Sequence, residues 1–136
     1  MATSTVRDEV CPARGALYDP IPTVSTDGDT VLLSPELLGI TAPKYADFVV
    51  GNVTSTLLPQ MIREAVGNGY VVEFADALRS CAATCEFWDF CQGAQAGNRF
   101  FEHGTFMVAE TAYCRNSRQA LVRAALDQVT PQIGFR

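Results

Sequence analysis

The chain has 136 residues and a formal net charge of −5, a length that supports one core of ordinary size. Hydrophobic residues make up 48% and charged residues 18%, which excludes disorder over most of the chain. Ten basic residues, with Lys44 the only lysine and only Arg115, Arg118 and Arg123 close together, leave no clustered phosphate-binding surface, so nucleic acid is not an expected partner.

Residues 1–19 read as an irregular lead-in carrying Pro12 and Gly15. They lack the apolar stretch of a secretory signal. No apolar run anywhere approaches the roughly 18 residues of a membrane span. The expectation is a cytoplasmic chain with no membrane partner, in a reducing compartment that disfavours structural disulfides.

Residues 22–33 give two β-prone runs around Asp27-Gly28, a strong local hairpin signal read here as a turn with positive φ at both positions. Asp27 and Asp29 flank that glycine as turn residues, because a calcium-loop sequence does not continue after them. Ser34 and Pro35 resemble a helix cap and first position, with Gly39 limiting the helix to one turn. Residues 40–54, with Pro43, Gly51 and Asn52, read as an ordered loop around Phe48. Leu57, Leu58, Met61, Ile62 and Ala65 fall at helical spacing, with Pro59 confined to the first turn. Gly67, Asn68 and Gly69 break that helix, and a second runs from Tyr70 to Ser80. A glycine-bearing loop with Gly93 and Gly97 leads on towards the last cysteine. The final helix is expected to start at Asn116 or Ser117 and run through Val129, with Leu121, Val122, Ala125 and Leu126 inward and Pro131 as its stop.

The chemistry is concentrated in sulfur. Cys81, Cys85, Cys91 and Cys114 follow a C-x3-C-x5-C-x22-C pattern, whereas Cys11 stands alone. Thiolates bind soft metals, and four of them complete a tetrahedral zinc site or hold an iron–sulfur cube. Isolated free cysteines are often small buried hydrophobes, but packing alone does not require such clustering. Cys81 and Cys85 are four apart and share a face if the second helix continues. Phe87, Trp88 and Phe90 would then wall the centre off from water. Phe100, Phe101 and Phe106 extend this aromatic set, which reads as core around the metal rather than as a peptide groove. His103 is the only histidine and reads as a hydrogen-bonding turn residue, and Glu102, Glu110 and Arg115 as solvated surface. No phosphate loop is present.

The cysteine block, with Gly93, Asn98, the run from Glu102 to Phe106, and the run from Thr111 to Arg115, resembles the C-terminal SPASM-type region of cyclophane-forming radical SAM peptide maturases. Ser34 to Gly39, Pro43 to Tyr45, Asp47-Phe48 and Gly51 to Val53 are similar to the segment before those cysteines in the same enzymes. The resemblance covers about residues 20–128 and implies that Cys81, Cys85, Cys91 and Cys114 hold an auxiliary [4Fe–4S] cluster. The chain departs from the pattern in two places. Leu33, Ser34 and Pro35 stand where many such regions carry another cysteine, and Ala94 follows Gly93 where further glycine is usual. Trp88 occupies the position that a radical SAM C-x3-C-x2-C triad would give to its third cysteine, and the barrel needs about 200 residues, so the chain is not expected to cleave S-adenosylmethionine unaided.

The resulting expectation is an α+β domain over residues 20–130, an N-terminal β-hairpin followed by helices around a four-cysteine site, with a tail over 131–136. The resemblance implies an accessory iron–sulfur protein that relays electrons or holds a precursor peptide for a partner radical SAM or other peptide-modifying enzyme. The alternatives are a peptide-binding or scaffold module with a structural zinc or no metal, and an enzyme with a coordination position open to substrate.

Overall fold

A computed structural model describes residues 17–130; Cys11, the rest of the lead-in and the C-terminal tail lie outside the described residues. The chain divides into two compact units, residues 1–75 and 76–136.

In the first unit, β1 (Thr23–Val24) and β2 (Asp29–Val31) form the expected hairpin, pairing Val24 with Thr30 and Thr23 with Val31. The turn is not the two-residue type. Ser25 N donates to Asp29 O at 2.8 Å and Gly28 N to Ser25 O at 3.0 Å, while Gly28 has φ +93 and Asp27 is not left-handed. That is a three-residue loop in which only the last position needs glycine.

A third strand, β3 (Gly51–Asn52), pairs antiparallel with β2 and corrects the reading of 40–54 as loop alone. It has no β-branched run to announce it. The Asn52 side chain instead fixes it, donating to Asp27 O and Asp29 Oδ1, both at 3.0 Å, and accepting from Thr54 N at 2.9 Å. A 3-10 turn over Pro35–Leu37 follows β2. Ser34 occupies the cap position, but its hydroxyl donates to Glu36 Oε2 at 2.5 Å rather than capping the backbone.

Helix α1 (Leu58–Glu64) carries Pro59 in its first turn, where no N–H is required. Helix α2 (Gly69–Thr84) begins as the glycines release the chain. The core of this unit gathers Val31, Leu32, Leu37, Phe48, Met61 and Tyr70. Tyr70 pins it: its hydroxyl accepts from Leu32 N at 3.0 Å and donates to Phe48 O at 3.1 Å. Burial pushes that phenol up to about 12, so it stays neutral and able to donate.

In the second unit, the end of α2 is followed by α3 (Trp88–Cys91), α4 (Ala96–His103), a π-helical segment over Cys114–Gln119, and α5 (Ala120–Val129). Helix α4 occupies part of what reads in the sequence as loop; Gly97 and Asn98 are poor helix formers, and packing overrides them. The final helix also starts earlier than Asn116. Thr111 Oγ1 accepts from Cys114 N at 3.0 Å, and the Glu102 carboxylate accepts from Ala112 N at 2.7 Å and Tyr113 N at 3.0 Å. These acceptors satisfy the orphan donors of the helix start.

Of the apolar positions of α5 expected to be inward, only Val122 is half-buried, and Leu121, Ala125 and Leu126 are exposed. Leu121 is 67% and Leu126 51% exposed. Gln119 is buried, Arg123 reaches the cavity rim from an exposed position, and Leu121 lies about 200° around the axis from Gln119 at 100° per residue.

Candidate metal centre

Three backbone devices bring the four cysteines to the wall of one cavity. The first is the end of α2: Cys85 N donates to Cys81 O at 2.8 Å, so the helical repeat extends far enough to keep both cysteines on one side. The second is α3, where Trp88 and Cys91 are three apart and share a face. The chain then reverses through Gln92, Gly93 and Ala94, all at positive φ. A Cβ on Gly93 would collide with Leu78 Cδ2, so glycine is required there by both conformation and space. The third is the Thr111 cap, which places Cys114 in the first turn of its helix.

The result is one cavity of about 430 Å³ whose wall includes Cys81, Cys85, Cys91 and Cys114. All four are free thiols. Cys81 is buried, and the other three are partly accessible. Phe87 and Trp88 line the cavity as expected. Phe90 does not: it is 69% exposed, because residues two apart on a helical turn face different ways. Phe100, Phe101 and Phe106 form a separate cluster in which Phe100 stacks on Phe106 at 5.8 Å. They are not lining residues of the cavity.

The electrostatics of the wall come from residues the sequence reading left aside. Arg99 is only 3% exposed. It donates through Nε to Val108 O and through Nη1 to Gly93 O, both at 2.7 Å, and through Nη2 to Cys81 Sγ at 3.6 Å. Cys81 Sγ also lies 3.0 Å from Ala109 O as a donor. Burial pushes the Cys81 thiol up, and the Arg99 charge works against that. Gln119 Nε2 donates to Cys114 Sγ at 3.3 Å and to Glu110 Oε2 at 3.0 Å. At the rim, Arg123 lies 5.0 Å over the Phe87 ring and 3.8 Å from Glu86.

Glu110 and Glu102 are more than solvated surface. Glu110 lines the cavity and binds Arg115 Nη1 at 2.9 Å, a contact that, with Gln119, holds its carboxyl below the usual range. Glu102 is the helix cap described above. His103 ends α4, 3.6 Å from Glu102, and is not among the residues lining the cavity. Nothing in the spacing of Arg99 or Gln119 hinted at either role.

Four thiols are donors of the type that soft metals take. In the cavity wall, N–H groups of Arg99 and Gln119 aim at two of the four sulfurs, and the charged side chains are Arg99 and Arg123 with Glu86 and Glu110. A single zinc ion needs four sulfurs about 2.3 Å from one point. Among the described residues, no group of three or more His, Cys, Asp or Glu side chains is placed to hold a metal ion.

The chain is similar to part of a longer Synechocystis protein. That relative, an uncharacterized protein of Synechocystis sp. (strain ATCC 27184 / PCC 6803 / Kazusa), is 28% identical over 118 residues, which make up 85% of this chain and 30% of its own length. The chain therefore spans under a third of the curated relative it matches. No family model matches the chain, and no solved structure matches it. Among the described residues, no helix is long and apolar enough to cross a membrane.

Proposed function

We propose that the chain is an auxiliary iron–sulfur unit in which Cys81, Cys85, Cys91 and Cys114 hold a [4Fe–4S] cluster. The observation that carries this reading is the meeting of all four clustered cysteines on the wall of one cavity. When bound, such a cluster supplies one-electron chemistry, at a potential set by burial and by hydrogen bonds to sulfur. Phe87 and Trp88 add apolar surface to the cavity wall, and Arg99 sets a positive charge beside Cys81.

The resemblance to SPASM-type regions extends the reading to a cytoplasmic accessory role in ribosomal peptide modification. In that role the chain relays an electron, or holds a precursor peptide, for a partner radical SAM or other peptide-modifying enzyme. Four cysteines on one cube leave no open coordination position, which favours an accessory over an independent catalyst. The match to less than a third of a longer protein is consistent with a unit that works beside another domain.

Single replacements test the ligand set. Cys85→Ser is expected to lose most bound iron and to soften the fold, because site assembly and folding are coupled. Cys11→Ser is expected to keep its iron. Loss of iron from the Cys11 variant would show that the assigned quartet is wrong.

A further inference from the structure

Two side chains donate to sulfurs in the cavity, and neither is a ligand. Arg99 Nη2 points at Cys81 Sγ from 3.6 Å and Gln119 Nε2 at Cys114 Sγ from 3.3 Å. Both residues are buried, at 3% and 6% exposure, and both are held by other bonds. Arg99 reaches Gly93 O, just after Cys91, and Val108 O, on the approach to Cys114. One guanidinium therefore ties Cys81 to the turn after Cys91 and to the segment at Val108. Gln119 is steadied by Glu110, which Arg115 holds in turn. An N–H aimed at a ligand sulfur withdraws negative charge from it, and an added electron makes that interaction stronger.

We propose that Arg99 and Gln119 are the positioning residues of the thiol site, orienting Cys81 and Cys114 and raising the reduction potential of a cluster held there. The inference rests on the cluster reading above. In the couple concerned, one electron passes from an external one-electron reductant to the cluster, and no bond forms or breaks.

The experiment is a potentiometric titration of the reconstituted full chain with dithionite, followed by electron paramagnetic resonance, with iron and sulfide measured on each sample. Gln119→Leu keeps similar bulk and leaves Glu110 its Arg115 partner. It is expected to load as much iron as the wild type and to be about tenfold harder to reduce, a shift of about 59 mV to lower potential for a one-electron couple. If Gln119→Leu does not load, Arg99→Lys reads the same downward shift at Cys81. Loaded variants that keep the wild-type potential would overturn the inference and leave the cluster reading standing. Failure of the wild type itself to take up iron and sulfide would remove the cluster reading, and this inference with it.

Discussion

Gln119 Nε2 lies 3.3 Å from Cys114 Sγ although the two residues are five positions apart in one helical run. In an α-helix such residues point about 140° apart, at 100° per residue. The π-helical turn over Cys114–Gln119, closed by Ala120 N bonding to Arg115 O, is wider and brings them to one side. A local departure from α-geometry thus puts a hydrogen-bond donor on a candidate ligand.

The start of that helix is the first place to test. Thr111→Ala removes the acceptor that holds Cys114 N and should cost about 0.5–2 kcal/mol. Thr111→Ser keeps the hydroxyl and should recover most of that stability. Chemical denaturation of the two variants checks this, and equal losses in both would place the effect in packing of the threonine methyl.

The same helix start predicts a dependence on pH. Hydrogen bonds from Tyr113 N and Ala112 N hold the Glu102 carboxyl below its ordinary 4.5. A carboxyl depressed on folding contributes stability that is fully present above about pH 4.5 and is lost as pH falls through the lower folded value. Thermal melts of the wild type should therefore fall on acidification below pH 4.5, and those of Glu102→Gln should fall less steeply. Parallel profiles for the two chains would remove Glu102 from the account.

Gly93→Ala should destabilise by about 2–5 kcal/mol, since φ +95 strains a side-chain-bearing residue and the new methyl meets Leu78 Cδ2. Because Gly93 lies two residues after Cys91 in the same turn, the variant should also bind less iron. Urea unfolding with parallel metal analysis reads both effects.

In the first unit, Tyr70→Phe leaves the buried Leu32 N–H without its acceptor and should cost about 1–3 kcal/mol. The denaturant slope should not change, because the surface exposed on unfolding is nearly the same. A neutral substitution would mean that another acceptor takes over Leu32 N.

These comparisons show what the sequence conveys. The hairpin is legible because Asp27-Gly28 carries its own turn chemistry, and α1 and α2 because their apolar periodicity is local. Strand β3 is not, since two residues held by the Asn52 side chain have no pattern to read. Helix α4 is hidden by Gly97 and Asn98, whose weak propensity is overridden by packing around Arg99. The cysteine spacing singled out four residues that line one cavity. Its electrostatics remained unread, because the roles of Arg99 and Gln119 depend on a positive-φ turn and a π-helical segment that spacing does not encode.

The measurement that bears most directly on the account is iron, acid-labile sulfide and zinc analysis of the full chain prepared without oxygen. The account predicts about four iron and four sulfide per chain with little zinc. Well-folded, fully reduced protein that binds neither iron nor sulfide when both are supplied would contradict it.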